Sequence, residues 1–400
     1  MTAASKEVSS IELFFNNFAM ELFMLYQSRR KMKNEIIMVA KLLRVIQFSF
    51  ICLVIFSLWT GCANDMNSKF STPTNAFGQA NRLCIVADQD LWEGKTGDSI
   101  RYYFAAAYPI LPQPEPLFDL QHFTPEELEA DPYRKELRAY LIVGTLDDKQ
   151  SSTIASITKD LGPENLRKAK EQSDFNIKVG YDKWAQGQVL VYLFAQSQNA
   201  LVTALQQNFT GISNKFNKSD EEQFEATIYF GGQNAAIKET IRKRYGMDIR
   251  IPSDYFIATE NAKTTWLRKE TQFLSSNILI HKTPYSSEAQ LTKEGIKNLR
   301  DQLGKEYIST EIKDTYMQTN DVDLPMWTKA IDLNGAYAIE SRGIWEIVND
   351  FMGGPFISYL ILNKEKNELI YIDCFVHAPA KKKRDFMMHL EYIISSAKFQ

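Results

Sequence analysis

The sequence predicts an α+β protein of two similar lobes, each a mainly antiparallel sheet covered by helices. Three observations predict it. Short apolar runs bounded by turn residues alternate with amphipathic stretches along residues 81–400. Both halves close the same way, with a strong strand, a polar turn and an amphipathic helix, at 188–209 and 368–397. The 400 residues are 44% hydrophobic and 24% charged, ordinary globular values that allow a sizeable core.

The first elements concern the N-terminus. From Val45 to Asn64 no residue is charged, and Lys31, Lys33, Lys41 and Arg44 precede the run. A basic flank, an apolar stretch and a small residue before a break are the parts of a secretory signal. The break is Gly61-Cys62, followed by a polar stretch. A cysteine in that place resembles a bacterial lipobox, in which Cys62 would take up lipid and become the first residue after cleavage. Trp59 stands where the best lipoboxes carry leucine. An uncleaved single span over Val45–Asn64 is the alternative. Residues 1–37 fit a signal badly and read as an upstream extension, with translation starting at Met32 or Met38. The resulting division is 1–37 extension, 38–61 signal peptide, 62–80 polar tether, 81–219 first lobe and 220–400 second lobe.

Within the first lobe, Leu83–Ala87 reads as a strand and Asp98–Tyr108 as a helix. Three prolines in ILPQPEPLFDL force an extended path. Thr124-Pro125-Glu126-Glu127 is a capping-box helix start. Ala139–Thr145 is a buried strand, 151–160 and 164–172 are helices, Gln188–Gln196 is a strand, and Ser197–Phe209 a helix. The polar stretch 214–223 reads as the break between lobes. Beyond it come a strand at Ala226–Phe230 and a helix at Asn234–Tyr245 closed by Gly246. Strands follow at Asp248–Ile251, Tyr255–Thr259, Lys263–Glu270 and Asn277–His281, then a helix at Thr292–Leu303 ended by Gly304. Strands at Ala336–Ser341 and Phe356–Asn363 flank a helical turn, Ile344–Met352. Glu368–Val376 is the last strand and Pro379–Ala397 the last helix.

The Gly-Cys leader, LPQPEPLFDL, KRYGMDIRIPSDYFIA, TTWLRKET and the ending YIDCFVHAPAKKKRDFMMHLEYIISSAKF together resemble a family of Bacteroidetes envelope lipoproteins, domain-of-unknown-function family 4837. The resemblance covers roughly residues 62–400. It implies a Gram-negative envelope lipoprotein with no assigned activity, so no site residue is carried over from it. The closing strand and helix also look loosely like the end of PsbP- or Mog1-type domains, a likeness that carries no function.

Residue chemistry is sparse. His122, His281, His377 and His389 are scattered, and no HExxH, paired CxxC, calcium loop or GxSxG occurs. No catalytic residue, metal site or cofactor is therefore expected. The net charge of −3 makes no whole-protein case for nucleic acid. Gly231-Gly232 lacks the lysine and spacing of a phosphate loop. Cys84 and Cys374 fall in the first and last strands. In an oxidising envelope they would close a loop of about 290 residues. The alternative is two unpaired core thiols.

Trp266 beside Arg268 suggests a recognition surface, against a core tryptophan whose neighbouring arginine pairs with Glu270. Lys381, Lys382, Lys383 and Arg384 suggest contact with headgroup phosphate or an anionic glycan, against a solvated face. The functional expectation is a non-enzymatic binding or assembly protein. It would be tethered to the outer membrane through Cys62, face the periplasm rather than the outside, and meet an envelope protein or glycan. An envelope hydrolase with dispersed carboxylates, or the same body on a single span, is the alternative.

Overall fold

The computed structural model describes residues 74–172 and 174–399, which fall in one compact unit. Cys62, the apolar run and most of the tether lie outside the described residues. Within that unit the described residues form two sheets, a two-stranded ladder and four hydrophobic clusters.

The first lobe is built on five strands: β1 (Arg82–Val86), β2 (Asp119–Phe123), β3 (Ala139–Thr145), β4 (Ile177–Tyr181) and β5 (Val189–Ala195). Their spatial order is β2-β1-β3-β5-β4. Three pairings are parallel, and only the edge pair β4–β5 is antiparallel. Helices make the crossovers that parallel strands require. These are α1 (Gln89–Glu93), α2 (Lys95–Phe104), α3 (Pro125–Ala130), α4 (Ser152–Leu161) and α5 (Pro163–Glu171). Leu83, Ile85, Leu141, Val143, Val191 and Leu193 face α2 and α6 (Gln198–Ile228), while Cys84, Val86, Tyr140, Ile142, Tyr192 and Phe194 face α4 and α5. Thr124 caps α3 in a complete capping box with Glu127.

The second lobe is an antiparallel sheet. Its strands are β7 (Phe256–Glu260), β8 (Thr264–Thr271), β9 (Leu274–Pro284), β10 (Tyr316–Asn320), β11 (Trp327–Leu333), β12 (Ala336–Val348), β13 (Gly353–Asn363) and β14 (Glu368–His377). The order runs β10-β12-β13-β14-β9-β8-β7, with β11 paired along the first half of β12. One face packs on α7 (Ala235–Tyr245) and α9 (Arg384–Ser395), the other on α8 (Lys293–Tyr307). A two-stranded ladder joins β6 (Met247–Asp248) to β15 (Lys398–Phe399). Gly246 holds the left-handed conformation, φ 64, that ends α7.

The α+β class with sheet lobes holds, and antiparallel pairing dominates among the described residues. The first lobe departs from the expected pairing because its strands are buried on both faces and linked by helices. The lobes therefore share a class and not a topology. The stretch 214–223 lies inside α6, as does most of the expected strand 226–230. Ile212, Phe216, Asp220, Phe224 and Ile228 form a buried stripe at every fourth residue, and the charged member at its centre conceals the period. The change of sheet comes after Ile228. The expected helical turn at 344–352 is the end of β12 and the turn to β13; its apolar residues Ile344, Trp345, Ile347 and Val348 around one acid fit a helical spacing as well as a strand. Helix α2 ends at Phe104 rather than Tyr108, and Gly304 lies within α8.

Candidate functional site

The polar residues converge where the two lobes meet. Three prolines (Pro112, Pro114, Pro116) fix the segment before β2 as a strap that reaches the second lobe. Tyr108 and Leu111 from this strap enter the core beneath α9. Glu115, buried, accepts hydrogen bonds from the backbone N–H of Lys383 (2.5 Å) and Arg384 (3.1 Å). Its carboxylate thereby satisfies the exposed donors at the start of α9 and complements the helix dipole. The Arg384 side chain donates to the Pro116 carbonyl at 2.7 Å, to Asp119 Oδ2 at 2.8 Å and to Asp385 Oδ1 at 2.8 Å. Burial raises Asp119, and the Arg384 guanidinium overcomes this to hold it below the usual carboxylate range.

Helix α6 supplies the other half of the junction. Asp220 Oδ2 accepts from the Asn81 backbone N–H at 2.8 Å, and Arg138 Nη2 donates to the Ser219 carbonyl at 2.7 Å. Burial pushes Asp220 up to about 6. Asn81 Nδ2 continues the network to Asp385 at 3.1 Å. Arg342, buried in β12, donates to Glu340, to the Tyr108 hydroxyl and to Glu391 at 2.8–2.9 Å. Tyr108 in turn donates to Glu391, whose carboxyl burial pushes up to about 8. His389 on α9 lies edge-on to Phe224 of α6, and burial lowers it to about 4.

The sequence-derived candidates separate. Trp266 is core, with Nε1 donating to Asn277 Oδ1 at 3.1 Å. Arg268 stacks over that indole at 5.0 Å and pairs with Glu270. The lysine run lies after β14, at the end of the sheet to which β8 leads. There Arg384 is buried, whereas Lys381 and Lys382 are exposed and Lys383 is intermediate. The basic run is thus one structural arginine followed backwards by three outward lysines. Cys84 and Cys374 are free and buried in the cores of different lobes, so the chain-closing bridge is not formed. Burial pushes the Cys84 thiol up to about 12 and raises Cys374 well above its ordinary value. Cys62 lies outside the described residues.

Sequence reasoning missed Glu115, Asp119, Asn81, Tyr108, Arg342 and Arg300. The proline strap was the one signal available for the first two. Arg300 of α8 is wholly buried, 3.2 Å from Asp373 Oδ1, with its guanidinium 3.7 Å over the Phe356 ring and Nη1 on Thr319 at 3.1 Å. Burial raises Asp373 against the pull of that arginine.

A polar cleft of about 500 Å³ opens between α6 and the β4–β5 turn, lined by Tyr181, Asp182, Gln186, Lys215, Lys218 and Glu222 among others. The start of the described chain borders it, since Asn75 bridges to Gln186 and Phe77 to Leu137. Among the described residues no group of three or more His, Cys, Asp or Glu is placed to hold a metal ion. Among them, too, no helix is long and apolar enough to cross a membrane.

Residues 234–396 match the family model of a domain of unknown function, DUF4837, and residues 76–229 match that of a second, DUF8532. The resemblance to family 4837 therefore holds over the second lobe, and the first lobe corresponds to a different model. No curated protein matches the chain. Among solved structures, the Ran-binding protein Mog1p of Saccharomyces cerevisiae is 11% identical, over 38% of this chain and 91% of that one, at a TM-score of 0.26. The human StarD13 lipid transfer and protein localization domain is 10% identical, over 41% of this chain and 94% of that one, at a TM-score of 0.18. Likenesses at that level carry no argument about this chain.

Proposed function

We propose that this chain is a cell-envelope lipoprotein of the Bacteroidetes type, tethered to the outer membrane through Cys62 and facing the periplasm, whose two-lobed body binds an envelope protein or glycan. The observation that carries the reading is the sequence around the anchor taken with the start of the body. An uncharged apolar run ends at Gly61-Cys62, and pairing with the first lobe begins at Asn75. The residues between them, about a dozen, reach at most about 40–45 Å when extended. A lipid on Cys62 would hold the body within that distance of the bilayer.

A binding role is supported by how the charged residues are used. Arg384, Arg342, Glu115, Asp119 and Asp220 lock the lobes into one body, and the polar cleft beside Tyr181 and Lys215 offers hydroxyl, amide and both signs of charge to a polar partner. The test is intact mass and acyl labelling of membrane-extracted protein beside a Cys62→Ala variant. A chain beginning at Cys62 that loses its label in the variant is the expected result. An uncleaved, unlabelled chain would overturn the tether and leave Val45–Asn64 as a spanning segment.

A further inference from the structure

One end of the second-lobe sheet gathers exposed aromatics and lysines. His377, the last residue of β14, pairs with Ser275 at the start of β9, and Thr271 at the end of β8 pairs with Leu274. Glu346 near the end of β12 pairs with Gly353 at the start of β13. The β8–β9 turn, the loop from β14 to α9 and the β12–β13 turn therefore project from the same end. The first turn carries Phe273 at its tip, 53% exposed, and the last carries Phe351, fully exposed. Between them the loop carries Lys381, Lys382 and Lys383. With strands about 4.8 Å apart, the two turns stand on the order of 15 Å apart across the sheet, with the end of β14 between them.

The local charges reinforce this arrangement. Lys381 Nζ lies 4.8 Å over the Phe273 ring, and Lys383 Nζ reaches back to the Lys381 carbonyl at 3.0 Å. Neither lysine has a carboxylate partner among the described residues. Of the nearby acids, Asp254 pairs with Lys269, Glu270 with Arg268 and Asp385 with Arg384, while Asp350 accepts from the Phe351 backbone N–H and has no cation partner among the described residues, one acid against three lysines. Lys382 makes a long 3.5 Å contact with Asp119 and stays 71% exposed.

A phenylalanine held in water on a turn tip adds nothing to the fold, and the surface here is a row of projecting turns rather than a groove. Such a convex row suits a soft planar partner. The lysines set the sign of its charge. We propose that this end of the sheet is a lipid-docking tip. Phe273 and Phe351 enter the headgroup–acyl boundary of a bilayer while Lys381, Lys382 and Lys383 meet anionic headgroups. The inference stands on the body alone and does not depend on lipid attachment at Cys62.

The test uses residues 73–400, the compact unit of the chain, after a cooperative thermal melt has shown it to be folded; it lacks Cys62 and the apolar run, so failure here and failure of the tether are distinguishable. The protein is sedimented with phosphatidylglycerol–phosphatidylethanolamine vesicles and with phosphatidylcholine vesicles. Binding is expected on the first, weakening as salt is raised. Phe273→Ser with Phe351→Ser should weaken it about tenfold or more, and each of Lys381→Ala and Lys383→Ala by about fivefold. Tyr133→Ser, at an exposed position on the first lobe, should leave it unchanged. These side chains are at the surface, and unchanged thermal melting would show that the variants fold. The proposal is overturned if the body ignores anionic vesicles or if the double phenylalanine variant binds like the parent. It is equally overturned if that variant only abolishes self-association in sedimentation velocity, making the tip a contact between copies.

Discussion

Strands β3 and β5 of the first lobe and β13 and β14 of the second are buried to the same depth but filled differently. In β3 and β5 the run is apolar almost throughout, from Ala139 to Val143 and from Val189 to Ala195. In the second lobe, buried strands carry Ser341, Arg342, Ser358 and Asp373, and α8 drives Arg300 against the sheet. The parallel sheet is sealed by helices on both faces, where a charge would find neither water nor partner. The antiparallel sheet takes in charges because partners arrive with them. Asp373 is met by Arg300, and Arg342 by Glu340 and Glu391. Burying a charge in this sheet therefore goes with a partner, distant in the chain for Arg300 and Asp373 and both local and distant for Arg342.

The largest expected effect breaks this contrast where it is sharpest. Arg300→Ala leaves Asp373 buried without its cation and should destabilise the body by about 3–5 kcal/mol. The double replacement Arg300→Met with Asp373→Val should recover most of that, because an apolar pair of similar total volume removes both desolvation costs. Urea unfolding of the three proteins measures it, and a double variant as unstable as Arg300→Ala would show that the pair does more than balance charge.

Next in size is the junction. Arg384→Ala removes hydrogen bonds to Asp119 and the Pro116 carbonyl and should cost about 2 kcal/mol, less than Arg300 because Asp119 is partly exposed. Because α6 contributes Phe216 to one core and Phe224 to the other, the parent should unfold in a single transition. Arg384→Ala should broaden or split it in calorimetry. A variant that shifts downward with undiminished cooperativity would place the coupling in α6 alone.

The smallest effect compares two ionisable groups at the junction with opposite pH slopes. His389 sits near 4 when folded and near 6.5 when unfolded. Above pH 6.5 it is neutral in both states. As pH falls from 6.5 to 4 the unfolded chain takes up a proton that the fold resists, so stability declines. Asp220 sits near 6 when folded and 3.8 when unfolded, so its contribution is full below 3.8 and is lost as pH rises through 6. Relative to the parent, His389→Phe should gain about 1–3 kcal/mol between pH 7 and pH 4. Any stability lead of Asp220→Asn at pH 7 should shrink over the same range. Denaturant midpoints across pH 4–7 check both, and parallel curves for parent and variants would refute the assignment.

Local chemistry was legible wherever neighbours in sequence settle it. The Thr124 capping box, the Gly246 helix end and the apolar runs of β1, β3, β5 and β14 are all present as read. The errors occur where one spacing fits both a helix and a strand or a stripe is interrupted. Ile344, Trp345, Ile347 and Val348 around Glu346 fit a helical spacing as well as a strand, while Asp220 broke the stripe of α6. Of the candidate surface residues, the environment of Trp266 was readable as core from its alternation. That Arg384 turns inward while Lys381 and Lys382 stay out was not, because all four are cations in one short run.

By itself the sequence determined the α+β class, most elements and their ends, and the expectation of an N-terminal anchor. These follow from propensity, capping and periodicity, which act within a few residues. Tertiary structure alone decided that the first sheet is mostly parallel, that α6 spans both cores, and that the proline strap delivers Glu115 to the start of α9. It also decided which buried charges meet. Each of these depends on groups tens to hundreds of residues apart, such as Arg300 with Asp373 and Tyr108 with Glu391. The free energy of such a pair is set by the distance and dielectric between its members, which no local pattern records.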